Sequence, residues 1–303
     1  MQTDARPLVN DPLVNAPFVI GCDGGGTGCR VVVADASGRV LAQAQGGPAN
    51  VTSDFALAIV NLRAALTGAA AQLGLGLQDL LGGVAHFGLA GMQTPQDAAR
   101  VAAEFPFARV CVTEDRQIAV AGALGTADGV LFALGTGTII AAQRRGQTMR
   151  IGGWGLQLSD DASGAWLGRG LLQRVVLAHD GMAGFSPLAS ACFKGFGDDP
   201  RALVAFAATA RPADYARFAP EIIAAAQAGD AVGLALMQQG AAYLARALDV
   251  LGFAPPDVLC LSGGVAPHYA PYLPEHAQKA IIAPLGQGAD GALRLALNLT
   301  ARP

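Results

Sequence analysis

Two glycine–threonine turns, each lying between two apolar strand-like segments, carry the clearest chemistry in this sequence. The first turn is Asp23-Gly-Gly-Gly-Thr27-Gly28, and the second is Gly135-Thr-Gly-Thr138. Glycines let a phosphate chain approach the backbone, and successive N–H groups together with a threonine hydroxyl can donate hydrogen bonds to its oxygens. A third turn, Gly263-Gly264, also follows an apolar strand. Together the three turns predict a site for the phosphates of a nucleotide.

Phosphate charge in such a site has to be neutralised, and the sequence indicates a metal ion rather than lysine. Only Lys194 and Lys279 are lysines, and neither completes a G-x-x-x-x-G-K-[ST] loop, which excludes a P-loop NTPase. The absence of a candidate strand lysine also argues against a protein kinase. Asp23, beside the first turn, is the natural water-mediated contact for Mg²⁺.

Strands on both sides of each turn must position these groups, and the sequence predicts two similarly built α/β halves. Thr27 and Thr138 are 111 residues apart, which is about one domain length. A repeat of strand, turn and strand at that spacing indicates related halves. In the first half the pattern predicts three strands, a helix with Ser53 as its N-cap, and two more strands separated by a helix near residues 95–105.

The overall composition excludes several classes of function. With a net charge of −3 and a pI near 5.8, the chain has no basic footprint for nucleic acid. It has no run of about 18 uninterrupted apolar residues, so we predict no membrane span. The first 17 residues lack the basic and apolar regions of a signal peptide. Five cysteines without C-x-x-C spacing and four histidines without a metal-ligand pattern favour a reducing, cytoplasmic location.

The ordered motifs resemble those of a known superfamily. Asp23-x-Gly25-x-Thr27, Leu134-Gly-Thr-Gly-Thr138 and Leu261-Ser-Gly-Gly264 are similar to the phosphate-1, phosphate-2 and adenosine motifs of the actin/hexokinase/Hsp70 ATPases. Within that superfamily the chain resembles the BadF/BadG/BcrA/BcrD group and its amino-sugar kinases from about residue 18 to residue 296. Further matching segments are Gly47-Pro-Ala-Asn50, Gly88-Leu-Ala-Gly91, Ser159-Asp-Asp-Ala-Ser-Gly164 and Gly288-Ala-Asp-Gly-Ala-Leu293.

The resemblance implies an α/β fold of two ribonuclease-H-like, actin-like ATPase domains with an interdomain cleft. Residues 1–17 would be a flexible N-terminal leader, residues 18–115 with the C-terminal helix 288–300 the first domain, and residues 116–287 the second. The resemblance also implies ATP and Mg²⁺ as cofactors, with Asp23 as the metal contact. The implied ATP contacts are Asp23, Gly25, Gly26, Thr27, Gly135, Thr136, Gly137, Thr138, Gly263 and Gly264.

The same resemblance implies a sugar substrate. Asp115 follows a strand, and ligands of open α/β sheets bind beyond the carboxyl ends of strands; the sugar-kinase pattern makes it the general base. Asn50 matches a sugar-contacting asparagine, with a plain turn role as the alternative, and Asp160 matches a ligand of sugar hydroxyls. The implied sugar contacts are Asn50, Gly91, Asp115, Trp154 and Asp160.

Three positions depart from the family pattern. Relatives often carry glycine at the positions of Ser159 and Ala162. Ala162 replaces a flexible turn residue, so the loop shape here can differ. Relatives carry serine or lysine at the position of Gly28. Because Gly28 has no side-chain donor, Thr27 and Thr138 must supply more of the phosphate contacts.

The implied function is transfer of the γ-phosphate of ATP to the 6-hydroxyl of glucosamine, giving glucosamine 6-phosphate, with N-acetylglucosamine as the alternative acceptor. A remote alternative is an ATP-dependent activator of a 2-hydroxyacyl-CoA dehydratase, which would hold an iron–sulfur cluster; the contexts of Cys111 and Cys192 do not favour it. A nucleotide-dependent filament would not need Asp115, Asn50 and Asp160. The predicted partners are ATP and a small amino sugar, with a homodimer left open.

Overall fold

The computed structural model describes residues 18–92 and 94–300, so the leader predicted for residues 1–17 lies outside the described residues. The chain divides into two compact units. Unit 1 extends to Gly125 and resumes at Leu285, and unit 2 comprises Thr126–Pro284.

Unit 1 contains a five-stranded mixed sheet. Its strands are β1 (Val19–Gly24), β2 (Cys29–Ala34), β3 (Val40–Gly46), β4 (Val84–Leu89) and β5 (Arg109–Glu114). Across the sheet they have the order β3-β2-β1-β4-β5. Strands β1, β2 and β3 pair antiparallel, whereas β4 is parallel to both β1 and β5.

Unit 2 contains a second sheet of the same plan. Its strands are β6 (Gly129–Leu134), β7 (Thr138–Arg144), β8 (Gln147–Ile151), β9 (Val258–Ser262) and β10 (Ile281–Ile282), in the order β10-β9-β6-β7-β8. Here too the first three strands along the chain, β6, β7 and β8, pair antiparallel. Strand β9 is parallel to β6, and β10 is parallel to β9. The α/β class and the repeated strand, turn and strand plan are therefore confirmed.

Both faces of the first sheet are covered, which explains why its strands read as continuous apolar runs. Val31 and Val33 face one core, and Val32 and Ala34 face the other, as the alternation of side chains along a strand requires.

The helices of the two units are α1 (Phe55–Gln72), α2 (Leu77–Leu80), α3 (Pro95–Glu104), α4 (Asp115–Leu124), α5 (Gly164–His179), α6 (Pro187–Gly195), α7 (Pro200–Thr209), α8 (Pro212–Ala216), α9 (Ala219–Gln227), α10 (Ala231–Val250), α11 (Glu275–Lys279) and α12 (Gly288–Thr300), with a 3₁₀ helix at Ala266–Tyr272.

Helix α1 begins one residue later than predicted. The N-cap is Asp54, whose carboxylate accepts a hydrogen bond from the Leu57 N–H at 2.9 Å. Ser53 is not the cap; it lies in the preceding turn, where its N–H donates to the side-chain oxygen of Asn50. By length and composition α1 is apolar enough to cross a membrane. However, one of its faces is buried in the core of unit 1, as in the core helix of a soluble protein.

Helix α12 packs on the sheet of unit 1 and crosses α4 at glycines. A Cβ on Gly21 of β1 would overlap the backbone of Leu293, and a Cβ on Gly291 would overlap the carbonyl oxygen of Ile118 in α4. Gly122 of α4 lies equally close to the segment that precedes α12. This close packing groups α4 with unit 1, so the division of the chain comes after Gly125 and not after Asp115 as predicted.

We expect the substitution Gly291→Ala to destabilise the protein by about 1–3 kcal/mol, because the new methyl group overpacks a backbone-to-backbone contact. In a helix without this contact, alanine would instead stabilise by roughly 1 kcal/mol relative to glycine. A loss of stability would therefore identify the close contact between α12 and α4 as its cause. The measurement is the midpoint of urea unfolding. The matched control is Asn298→Ala at an exposed position of the same helix, which should change stability by less than about 0.5 kcal/mol.

Candidate functional site

The first glycine turn joins β1 to β2 and leaves hydrogen-bond donors facing solvent. The Gly25 N–H donates to the Gly28 carbonyl at 2.8 Å and closes the turn. Gly26 and Thr27 are exposed, and neither of their N–H groups bonds to another residue in the described part of the chain. A Cβ on Gly26 would meet nothing within 4 Å. The turn therefore offers two N–H groups and the Thr27 hydroxyl to an anion.

Two half-buried aspartates lie at the carboxyl ends of strands in the same sheet. Asp23 is in the last part of β1, and Asp115 follows β5 as the first residue of α4. Burial, and then the negative charge of Asp115, raise the pKa of Asp23, which Arg30 partly offsets. Burial also raises the pKa of Asp115, and this rise is opposed by Arg116 and by N–H groups at the helix start. The charge of Asp115 thus opposes the charged form of Asp23, and a cation beside Asp23 would relieve this repulsion.

The neighbouring carboxylate is committed to an ion pair. Arg116 donates to Oε2 of Glu114 through Nε at 3.0 Å and through Nη2 at 2.6 Å. Asp115 forms no ion pair within the residues that the structure describes. Of the two adjacent acids, Asp115 is therefore the one that can accept a proton from a bound molecule.

Asp23 fits a Mg²⁺ ion that arrives with phosphates. No cluster of three or more His, Cys, Asp or Glu side chains within residues 18–92 and 94–300 could hold a metal by itself. Mg²⁺, however, usually keeps several waters and takes only one or two carboxylates together with substrate phosphates. A single carboxylate beside a turn with free N–H groups, repelled by a second carboxylate, suits that mode of binding.

Asn50 combines a turn role with a free donor. Its Oδ1 accepts hydrogen bonds from the N–H groups of Thr52 and Ser53, both at 3.0 Å. The side-chain NH₂ group has no partner among the described residues, so it can donate to a ligand hydroxyl. Gly91 has a φ of +80°, and a Cβ there would overlap Oδ1 of Asn50. Gly91 therefore provides the space in which the Asn50 side chain lies.

The second glycine turn, in unit 2, holds the start of α5. The N–H groups of Gly164 and Ala165 donate to the carbonyls of Gly135 (2.7 Å) and Thr136 (3.2 Å). Thr136 is exposed, and a Cβ on Gly135 would meet nothing within 4 Å. The outer side of this turn is thus open to a ligand.

Thr138 faces inward and anchors the loop that carries Asp160. Its hydroxyl donates to the Asp161 carbonyl at 2.8 Å, and its N–H is bonded to the Asp160 carboxylate. Asp160 is only 8% exposed, and burial raises its pKa despite the N–H groups of Thr138 and Gly155. Asp160 (φ 59°) and Ala162 (φ 66°) both have left-handed backbone conformations. Ala162 thus holds a backbone conformation that glycine adopts more readily, so the loop is strained at this position.

The Trp154 side chain is exposed, whereas the loop behind it is held by a tyrosine that the sequence analysis missed. Trp154 is 64% exposed, with the guanidinium of Arg150 4.9 Å from its ring centre. Tyr243 of α10 is bonded through its hydroxyl to the Ser159 side chain, and burial together with the charge of Asp161 raises the pKa of Tyr243. No sequence pattern distinguishes Tyr243 from other helix residues, because its role arises from a remote contact.

A cavity of about 460 Å³ opens beside the third glycine turn in unit 2. Gly263, with a φ of +83°, lies so close to the end of β6 that a Cβ would overlap the Leu134 carbonyl oxygen. The cavity is bounded by turns on one side and by small apolar residues of α8 and α9 on the other. Lining residues include Gly135, Thr136, Gly264, Ala216, Pro220 and His268.

The predicted site residues therefore fall into two sets. Unit 1 brings together the first turn and the acids beyond its strands, and unit 2 brings together the other two turns and the Asp160 loop. The unit 1 set is Asp23, Gly25, Gly26, Thr27, Asn50, Gly91 and Asp115, and the unit 2 set is Gly135, Thr136, Gly137, Thr138, Trp154, Asp160, Gly263 and Gly264.

Comparison with known proteins gives consistent results. The model of the BadF/BadG/BcrA/BcrD ATPase family matches residues 20–296. The chain is 31% identical over 280 residues to the glucosamine kinase GspK of Vibrio cholerae serotype O1. The matched region covers 92% of this chain and 95% of that protein. It is 27% identical over 157 residues to an N-acetylmuramic acid/N-acetylglucosamine kinase of Clostridium acetobutylicum, covering 50% and 51% of the two chains.

A solved structure resembles the whole described fold. A candidate N-acetylglucosamine kinase of Chromobacterium violaceum superimposes with a TM-score of 0.81 at 33% identity. The match covers 93% of this chain and 99% of that one.

The raised pKa of Asp115 predicts that Asp115→Asn is more stable than the native protein at neutral pH. As the pH falls from neutral towards the ordinary carboxyl value of 3.8, the folded native protein takes up a proton before its unfolded chain does. Acid therefore stabilises the native protein relative to the variant, and the difference in stability between the two narrows as the pH falls. Melting temperatures measured across this pH range test the prediction.

The matched control for this measurement is Asp35→Asn. Hydrogen bonds from Ser37 and Arg39 lower the pKa of Asp35, so its charged form stabilises the fold above the ordinary carboxyl value. That variant should be less stable than the native protein at neutral pH, with the difference lost as the pH falls through the lowered pKa. If both variants were more stable than the native protein at neutral pH, or both less stable, our interpretation of the two pKa shifts would be contradicted.

Proposed function

This chain belongs to the BadF/BadG/BcrA/BcrD ATPase family, and we propose that it transfers the γ-phosphoryl group of ATP to the 6-hydroxyl of glucosamine. Its curated relatives are named sugar kinases, and this chain is a sugar kinase. The observation that carries the more specific proposal is Asp115, a half-buried carboxylate outside any ion pair at the carboxyl end of a strand. It lies close enough to Asp23, beside the phosphate-binding turn, for their charges to interact.

We assign the nucleotide to backbone donors and to the cavity of unit 2. The first turn offers the N–H groups of Gly26 and Thr27 to the phosphates, and the second offers that of Thr136, because the Gly135 N–H already donates to the Gly137 carbonyl. The hydroxyls of Thr27 and Thr136 add two further donors. The cavity beside Gly264, about 460 Å³ in volume, accommodates the adenosine. Thr138 contributes indirectly, because its hydroxyl and N–H already hold the Asp160 loop.

In the reaction, Asp115 accepts the proton of the sugar 6-hydroxyl as its oxygen forms a bond to the γ-phosphorus. The bond from that phosphorus to the bridging β–γ oxygen breaks, and ADP leaves with the bonding electrons. Phosphoryl transfer depends mainly on positioning and charge stabilisation, so a carboxylate is a sufficient base. Asp23 would hold Mg²⁺ through water, and the bound ion supplies positive charge to the phosphates.

Hydroxyl recognition is assigned to Asn50 and Asp160. The free NH₂ group of Asn50 donates to one sugar oxygen. Asp160 accepts two backbone N–H bonds, and a carboxylate has about four acceptor positions, so it can also accept from sugar hydroxyls. A substrate that lacked the matching hydroxyl would leave the remaining acceptor positions of this buried carboxylate unpaired.

N-acetylglucosamine is the second candidate acceptor. Its support is the similarity to the Chromobacterium violaceum structure at 33% identity, together with the segment Gly152-Gly-Trp-Gly155, which resembles that of acetylglucosamine kinases. Glucosamine remains the first choice because the curated glucosamine kinase matches over nearly the whole chain.

Removal of the base should abolish turnover without abolishing nucleotide binding. We expect Asp115→Asn to lower kcat by about 100-fold or more, the usual contribution of a general base. ADP release in a coupled assay measures turnover, and calorimetry with Mg·ATP measures binding. The control is Glu114→Gln, next in sequence but engaged with Arg116, which should retain most activity. Substantial turnover by Asp115→Asn would remove Asp115 from the mechanism.

A panel of acceptors tests the substrate. With Mg·ATP and equal concentrations of glucosamine, N-acetylglucosamine, glucose and N-acetylmannosamine, we expect the highest kcat/KM for glucosamine. ³¹P–¹H correlation of the product should show the phosphate on oxygen 6. A preference for N-acetylglucosamine would select the second candidate, and no activity with any amino sugar would refute both.

A further inference from the structure

The first residue of the C-terminal helix lies against the carboxylate beside the first phosphate turn. A Cβ on Gly288 would be 2.5 Å from Oδ2 of Asp23 and 2.9 Å from its Cγ. It would also be 3.3 Å from Cδ1 of Ile118 in α4. Real Cβ atoms essentially never show contacts under 3.0 Å, so a larger residue at 288 must displace either the helix or the carboxylate.

The start of α12 is held too firmly to move away. The Gln287 N–H donates to Oδ2 of Asp290 at 2.7 Å, and Oε1 of Gln287 accepts from Nη1 of Arg30 at 2.5 Å. One turn later, Gly291 is in backbone contact with α4. The Asp23 side chain can change its rotamer, whereas the helix would have to break these contacts, so the carboxylate is the group that moves.

We propose that Gly288 is a positioning residue for Asp23, leaving just enough space for the carboxylate to lie in one orientation beside the phosphate turn. The inference rests on the proposed function, in which Asp23 is the water-mediated contact for Mg²⁺. Gly288 does not touch substrate in this account. It acts through Asp23, and its effect is therefore on the metal rather than on the sugar.

The test is the Mg²⁺ dependence of Gly288→Ala at fixed ATP, measured both by ADP release and by the thermal shift that Mg·ATP produces. Loss of an outer contact to a metal-binding group typically weakens metal binding by about 10–100-fold. We expect the half-saturating Mg²⁺ concentration to rise by about 10-fold or more in both measurements, with little change in the KM for the sugar.

Two further variants separate this role from a general loss of stability. Gly291→Ala contacts only helix backbone, so it should lower the melting temperature and leave the Mg²⁺ dependence unchanged. Asp23→Asn should raise the Mg²⁺ requirement, and adding Gly288→Ala to it should have no further effect on that requirement. If Gly288→Ala alone does not fold, the double variant Gly288→Ala/Ile118→Val relieves the contact at 3.3 Å and is measured instead.

The outcomes distinguish the inference from the proposed function. If Asp23→Asn raised the Mg²⁺ requirement and Gly288→Ala left it unchanged, the positioning role of Gly288 would be overturned, while the metal role of Asp23 would stand. A native requirement for both variants would refute the metal role of Asp23 and the inference with it. An increase in the KM for the sugar without a change in Mg²⁺ dependence would also contradict the inference.

Discussion

The proximity of two half-buried carboxylates, Asp23 and Asp115, is the constraint on which unit 1 depends. Burial opposes the charged forms of both, and the charge of Asp115 further opposes that of Asp23, so the arrangement costs stability in the free protein and is typical of a functional site. Parallel pairing of β1, β4 and β5 brings the ends of these strands to one edge of the sheet. Gly88 of β4 makes room for Ile118, so that α4 can begin at Asp115 next to that edge.

Among the 40 glycines of this chain, two groups have opposite surroundings. In the turns, Gly26 and Gly135 leave the space beside the backbone open, so N–H groups such as those of Gly26, Thr27 and Thr136 can reach an anion in a chain with almost no lysine. On the covered face of the first sheet, Gly21, Gly122 and Gly291 have the opposite surroundings, since backbone atoms of neighbouring elements lie where their side chains would be. The same residue type therefore serves both the proposed anion site and a close helix crossing.

The two units share a sheet plan, but their equivalent turns have different side-chain roles. Thr27 of the first turn is exposed with its hydroxyl available. Thr138 of the second is buried, and its hydroxyl stabilises the loop of Asp160 and Ala162. The second turn thus connects the proposed phosphate contacts to the proposed sugar contact Asp160, because Thr138 bonds the loop that carries this carboxylate. A sequence repeat therefore predicts that the two units share a strand order, but not that equivalent threonines have the same role.

The sequence alone determined the strand–turn–strand pattern, the repeated α/β plan and the position of Asp115 after a strand, because hydrophobic periodicity and glycine placement act over a few residues. Their resemblance to a known family pointed to the same groups. Tertiary structure decided what depends on contacts between remote segments: the inward direction of Thr138, the bond from Tyr243 to Ser159, and the position of Gly288 against Asp23. Such contacts follow from how helices pack on sheets, which local pattern does not encode.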